Sequence, residues 1–534
     1  MKKIISLLLA VLMIFTMMLP AVAVGGEEKI VNVYLNGYGG TLYDENGKKI
    51  FGIELDLVGG LKEILDEMIV SLVKGELTGN YDEFCDQIYN LIAPAYAEVK
   101  LDKNGEATDD AGNPYLGLGY DQLERLEHIN GRYDNGYYLF DYDWRLSCEY
   151  NAELLEKYIG LVLEKENATK VNVVGRCLGG NIVSAFLENA SEECLAKVNK
   201  VIMYIPSTYG VDFLTGLFTG KIVLDDLAVD NYVKYSLSRN DILGAGEEGS
   251  EVVAMLSTFV SFLNEIKALG FTLDSVQKTL DKVKDNVLAR TLRDSYGSFP
   301  SFWNMVDPNE IEYAINFVFP TDELKAEYAG LIEKIRSFNQ NVQLNAYDTM
   351  KERTENGIDI MVISKYNYAN MPLSEKPRVQ SDSTASVTAT SFGAVTSDFG
   401  KVLDKSYIDA MDEKDKKYLS PDTMIDASTC LFPEKTWFLK NLNHADFPAC
   451  VDELINKFFN SEDMTVDTYK EYPQFMKFDS ETETFSPVTG IDKGDVHETG
   501  SDRRFPVFIR FFTMIINLIT KLIKGELDLG SIFG

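Results

Sequence analysis

Residues 171–185 read VNVVGRCLGGNIVSA. The opening β-branched run predicts a buried strand, and the apolar spacing of Ile182, Val183, Phe186 and Leu187 predicts a helix. Between them Gly175 and Gly179 flank Cys177 two residues to either side, and Gly180 adds room. A strand running directly into Gly-x-nucleophile-x-Gly and a helix is the layout of a nucleophile elbow. Glycines belong there because the strand and helix backbones approach too closely for side chains. The residue at the apex is held in an unfavourable backbone conformation that lifts its side chain above the sheet. The amide of Leu178 would then point into the first turn of the helix, placed to stabilise an oxyanion. The competing reading makes Cys177 a small buried hydrophobe that closes the corner.

The surrounding pattern is that of a parallel sheet covered by helices. Residues 30–35 (IVNVYL) read as a short buried strand ending in the glycine-rich turn Asn36-Gly37-Tyr38-Gly39-Gly40. Residues 137–140 read as a strand end, followed by DYDWR. Leu154, Leu155, Tyr158, Ile159 and Val162 mark a helix face, and KVIMYI (200–205) is another buried strand. Strand, helix, strand, helix, strand at these lengths gives an α/β class with a mostly parallel sheet.

From about residue 211 to 355 the alternation stops and helical spacing takes over, with Thr321 as an N-cap ahead of Asp322 and Glu323. The expectation is a large helical insertion, a cap over the sheet. The sheet resumes at IDIMVIS (358–364) and TWFL (436–439), and a helix is expected from about Pro448 to Phe459. The organisation expected is therefore a first core part (24–210), a cap (211–355), a second core part (356–462), and an acidic linker with a C-terminal amphipathic helix (463–534).

The first 23 residues carry Lys2 and Lys3, an apolar run from Ile4 to Leu19, and Ala21-Val22-Ala23. These are the parts of a secretory signal peptide, so an exported chain is expected. The C-terminal FPVFIRFFTMIINLITKLIK has only ten residues between Arg510 and Lys521, too few to span a bilayer. Its two readings are a segment lying in a membrane interface and a helix docked on the chain's own apolar surface.

The 534 residues carry 83 acidic and 51 basic side chains, a formal net charge of −32. Phosphate binding needs clustered Lys and Arg, so nucleic acid is excluded as the expected partner. The six cysteines are too sparse for a disulfide scaffold. No CxxC or CxxxxH spacing occurs, so no metal site is expected, and no cofactor either.

A thiol attacks only as thiolate and needs a basic partner. The chain has three histidines. His128 sits among Glu124 and Glu127 in a helical stretch, and His497 lies in the acidic tail. His444, on the loop KNLNHADFP between a strand and a helix, comes last in the order that elbow enzymes use. The acid should fall between nucleophile and histidine on a loop after a strand. Asp382, in VQSDSTASVTATSFGA, is preferred over Asp398, over Asp359 inside a strand, and over Asp446, which is expected to cap the helix after the histidine. Arg176, beside the apex, would favour the thiolate, hold an anionic substrate group, or point outward.

Taken in order, LNGYGG, FDYDWRL, VNVVGRCLGG, SFPSFW, SDSTASVT and KNLNHADF resemble the α/β-hydrolase superfamily, in its lipase-like branch that includes lecithin:cholesterol acyltransferase. The matching stretches are scattered from about residue 30 to 460. The resemblance implies a triad of Cys177, Asp382 and His444. It also implies an oxyanion hole from the amides of Leu178 and Tyr38, with Gly37 and Gly39 shaping the loop. Three positions depart from the pattern. Cysteine replaces the usual serine, as in the dienelactone hydrolases, whose elbow is also Gly-x-Cys-x-Gly-Gly. Asn36 stands where His or Pro usually precedes the oxyanion loop, and Ser383 replaces the glycine that commonly follows the acid. The implied activity is an exported acyl-ester hydrolase or acyltransferase on hydrophobic or lipid esters. The alternative is a non-catalytic binding protein on the same scaffold, and a cysteine peptidase is a weaker third reading.

Overall fold

The computed structural model describes residues 29–38, 70–72, 74–97, 99–107, 136–238 and 269–496. The leader at 1–23, Gly39, His128, His497 and the C-terminal segment 505–524 lie outside the described residues.

Eight strands form one sheet: β1 (Ile30–Leu35), β2 (Tyr137–Leu139), β3 (Lys170–Arg176), β4 (Val198–Tyr204), β5 (Asp359–Tyr366), β6 (Thr436–Lys440), β7 (Phe475–Asp479) and β8 (Thr484–Pro487). Their order is β8-β7-β6-β5-β4-β3-β1-β2. Every neighbouring pair is parallel except the β7–β8 hairpin. This is the α/β class with flanking helices that the residue pattern predicts.

The period-2 alternation of the strands splits the core between the two faces. Val171 and Val173, Val201 and Met203, and Ile360 and Val362 pack with the helices Cys148–Glu166 and Leu178–Asn189. Val174, Ile202, Tyr204, Met361 and Ile363 point the other way, onto Val451, Leu454, Ile455 and Phe458 of the helix Ala449–Phe459. The helix Cys148–Glu166 starts where the Ser147 side chain accepts the Tyr150 amide. It stops at Asn167 in a left-handed conformation (φ 48°). It buries Leu154, Leu155, Tyr158, Ile159 and Val162, the face read from the sequence.

Between β4 and β5 the described residues are helical, with the longest helix at Leu269–Arg293. Thr321 caps Asp322–Glu327 through its hydroxyl, as its position predicts. The SFPSFW segment is buried in this block, where Phe299, Phe302 and Trp303 join the larger core cluster.

Two expectations are corrected. Part of the stretch read as an acidic linker after residue 463 belongs to the sheet, because β7 pairs with β6 and β8 folds back on β7. Glu481 and Glu483 fall in the hairpin turn, while Phe475 stacks on Phe438 with ring centres 5.2 Å apart. The buried Asp495 also accepts from the buried Lys440 Nζ at 2.6 Å. The linker reading weighed overall acidity and missed the strand-forming FMKF. Second, Asp446 does not cap the following helix, whose N-cap is Pro448. Its carboxylate instead accepts the Asn443 amide at 2.9 Å and so closes the histidine loop.

Because Phe475 joins the edge hairpin to β6, Phe475→Ala should cost about 3–5 kcal/mol, read from urea unfolding followed by circular dichroism. A change near zero would mean that the segment after residue 463 is an appendage.

Candidate active site

Three of the sheet's C-terminal strand ends converge on one place. β3 delivers Cys177, the loop after β5 delivers Asp382, and the loop after β6 delivers His444.

Cys177 has φ 51° and ψ −119°, a conformation that costs an L residue energy. It persists because its surroundings fix both of its backbone groups. Its amide donates to Tyr204 O (3.0 Å), and its carbonyl accepts from the amides of Gly180 (2.8 Å) and Ser207 (3.3 Å). The glycines are steric requirements. A Cβ on Gly179 would lie 2.7 Å from Asn36 O, and one on Gly175 would lie 2.8 Å from Gly179 O. Strand, elbow helix and oxyanion loop are thus in backbone contact. Gly37 is the nearest part of that loop, since a Cβ there would stand 2.9 Å from Cys177 Cβ and 3.4 Å from its Sγ.

His444 Nδ1 lies 2.7 Å from Asp382 Oδ2, and its ring is close enough to the Cys177 thiol for each to shift the other's pKa. The His444 amide donates to Asp382 O at 2.8 Å, so the two loops are joined at backbone and side chain alike. The other oxygen of Asp382 accepts the amides of Thr384 (3.0 Å) and Ala385 (2.8 Å). Ser383 takes φ 79°, which explains why glycine would be at home there. The serine is held by the hydrogen bond that its backbone N–H donates to Ser381 Oγ (2.9 Å) and by the Asn443 side-chain amide, which donates to its hydroxyl.

These contacts set the charge state. Burial alone would raise the Cys177 pKa, but the His444 charge and hydrogen bond, Arg176 and the Leu178 amide outweigh it and bring the thiol below its ordinary value. Burial alone would lower the His444 pKa, yet Asp382 and the Cys177 sulfur raise it to about 9. Asp382 would be raised by burial and is instead lowered by His444, the Ala385 amide and Lys365. Both shifts run in the direction that favours a thiolate–imidazolium pair backed by the Asp382 carboxylate.

The predicted site residues therefore fall together: Cys177, His444, Asp382, Leu178, Gly37, Gly175 and Gly179. Tyr38 follows Gly37 on the same loop, its ring edge-on to Trp144 (4.8 Å) and Phe302 (5.2 Å). The rejected acids lie elsewhere. Asp398 pairs with Lys401 in a half-exposed position, and Asp359 pairs with Lys435. Arg176 is turned sideways onto the histidine loop, donating to His444 O (3.1 Å) and Ala445 O (3.2 Å). All six cysteines are unbridged. Among the described residues no cluster of side chains suited to a metal ion occurs.

Sequence reasoning missed two groups. Tyr142 donates its hydroxyl to Asn36 O at 2.6 Å and so braces the loop that carries Gly37, a role hinted at only by its place in FDYDWRL. Lys365, at the end of the apolar run IDIMVIS, is wholly buried beneath the histidine loop. A cavity of about 510 Å³ lies along the same rim, touched by Tyr209, Asp212, Ser386 and Phe392, and neither Cys177 nor His444 lines it.

No family model matches the chain, and no curated protein matches it either. A solved structure, the crystal structure of the Tle4-Tli4 complex, aligns at 10% identity and a TM-score of 0.23. That alignment covers 64% of this chain and 75% of the other. So slight a likeness carries no argument about the site.

Since Cys177 has its pKa lowered while Cys85, Cys148, Cys194, Cys430 and Cys450 have theirs raised by burial, iodoacetamide at pH 7 should label Cys177 first. Peptide mass spectrometry reads the order of labelling. His444→Ala should slow Cys177 labelling by about tenfold or more, one pKa unit being a factor of ten in thiolate at a fixed pH below the pKa.

Proposed function

We propose that the chain is an acyl-ester hydrolase or acyltransferase that works through a thioester on Cys177. The observation that carries this reading is one unbroken line of contacts. A strained apex thiol meets His444, which meets Asp382, with the Gly37 loop beside the sulfur.

The Cys177 thiolate attacks the acyl carbonyl carbon and forms a C–S bond. The resulting oxyanion is placed to accept from the amides of Leu178 and Tyr38. As the tetrahedral adduct collapses, the C–O bond breaks, and His444 gives its proton to the departing alkoxide. An ester needs this proton because an alkoxide leaves poorly. Water or an alcohol then gives its proton to His444 and attacks the thioester. The thiolate departs, and the pair is restored. Asp382 keeps Nδ1 protonated and the ring aimed throughout.

The substrate proposed is a hydrophobic or lipid ester. Its supports are the aromatic surroundings of Tyr38 and the resemblance to the lecithin:cholesterol acyltransferase branch carried by SFPSFW and FDYDWRL. Export through the N-terminal leader and membrane contact through the C-terminal segment belong to the same proposal and rest on the sequence pattern. The non-catalytic alternative predicts a thiol that is bridged or out of reach of His444. An unbridged Cys177 whose pKa His444 pulls down weighs against it.

Turnover of p-nitrophenyl esters of increasing chain length tests the proposal. Cys177→Ala should lower kcat/KM by about 10³-fold or more, and unchanged turnover would remove the mechanism. With alkyl esters, whose alkoxide needs the His444 proton as p-nitrophenolate does not, activity should also be bell-shaped in pH. On the acid side the depressed thiol gains its proton as pH falls. On the alkaline side His444, raised to about 9, loses the proton that it must deliver, so turnover should fade as pH climbs past that value.

A further inference from the structure

Four consecutive carbonyls of the histidine loop, those of Asn443, His444, Ala445 and Asp446, all face side chains of the sheet. Lys365 Nζ donates to Asn443 O (2.9 Å), His444 O (3.3 Å) and Asp446 O (2.6 Å). Arg176 donates to His444 O and Ala445 O, and the Tyr204 hydroxyl donates to Asp446 O at 3.3 Å. The same Tyr204 ring lies 4.9 Å from the Lys365 ammonium and 5.9 Å from the Arg176 guanidinium. Phe447 packs edge-on to Tyr204 at 5.4 Å and closes the end of the cradle.

A buried ammonium is costly unless fixed dipoles replace its water. Lys365 is wholly buried on β5, between the buried Ser364 and Tyr366. A leucine or methionine there would satisfy the strand. What a leucine could not do is gather three carbonyls of a loop that lacks regular backbone pairing of its own. A short loop that carries a catalytic ring needs such anchoring, because an error of about 1 Å in placing a catalytic group can cost about 10²-fold in rate.

We propose that Lys365 is a positioning residue, holding the histidine loop by its carbonyls so that the His444 ring bridges Asp382 and the Cys177 sulfur. Arg176 is the second, outer contact of the same clamp. The inference rests on the reading of Cys177 as a nucleophile paired with His444.

The readout is the pH profile of Cys177 alkylation by iodoacetamide, followed by peptide mass spectrometry. Cys177 is faced by His444, by Arg176 on its own strand and by the Tyr142 phenol; behind His444 stand Asp382 and Lys365. In folded Lys365→Met the loop loses its inner anchor. Alkylation at pH 6 should slow about tenfold and the profile should move up by about one pH unit, which is the same effect expressed two ways. Lys365→Gln keeps a donor without the charge and should fall between wild type and Lys365→Met. The downfield imidazole N–H proton of the His444–Asp382 bond should weaken or vanish in Lys365→Met and survive in Lys365→Gln.

A Lys365→Met protein that is less stable to heat but has the wild-type alkylation profile and N–H signal would overturn the proposal. So would failure of both variants to fold, which would make Lys365 a core-stability residue. The two readings fail separately. If wild type turns over no ester while Lys365→Met still moves the alkylation profile, the activity is lost and the positioning role stands.

Discussion

Everything at the site depends on one corner in which a strand must become a helix without room for a side chain. β3 brings Cys177 to φ 51°, and the close approaches at Gly175 and Gly179 leave the chain no ordinary alternative. The strain is sustained because the Cys177 amide and carbonyl are both claimed by neighbours, on β4 and on the segment that follows it. Held this way the thiol projects over the C-terminal edge of the sheet. The loops after β5 and β6 emerge at that same edge because β3, β4, β5 and β6 are parallel. A parallel sheet is what lets three residues 62 to 267 positions apart share a few ångströms.

Around that corner charge is arranged in layers. The apex thiol meets an imidazole, the imidazole meets a buried carboxylate, and the carboxylate meets backbone amides. Lysine and arginine stand behind the loop that carries the imidazole. In a chain of net charge −32 the placement of these cations stands out: Lys365 and Lys440 are buried and Arg176 is half-buried, each at the C-terminal end of a strand of the sheet. Long-range acidity repels the protein from its neighbours, yet it says little about a site whose field is set within a few ångströms.

The sequence disclosed the site better than its support. VNVVGRCLGG carries its own geometry, since strand, glycines and helix demand the corner whatever the apex residue does. Among three histidines, chain order and loop context singled out His444, and Asp382 followed from lying on a loop after β5. The anchors were less legible. Lys365 sits in an apolar strand run, where a lysine reads as a strand end facing water, and only the tertiary return of residues 443–446 buries it. Asp446 looked like a helix cap because local spacing allows that, but the Asn443 amide is the nearer unsatisfied donor. The hairpin after residue 474 was hidden by average acidity, because its strands are short and Glu481 and Glu483 lie in the turn between them.

The departures from the resembled pattern form a consistent set. Where glycine commonly follows the acid, Ser383 accepts a positive φ, and in exchange its hydroxyl receives the Asn443 side chain from the histidine loop. Glycine could not make that bond. Cysteine at the apex favours an ion pair with the imidazole where serine would remain neutral, since a thiol ionises many orders of magnitude more readily than an aliphatic hydroxyl. An ion pair pulls on the histidine loop more steadily than a neutral hydrogen bond does, and it also makes any displacement of that loop more costly. A site built on cysteine therefore has more reason to tie the loop down, through Ser383 and Asn443 on one side and through Lys365 and Arg176 on the other.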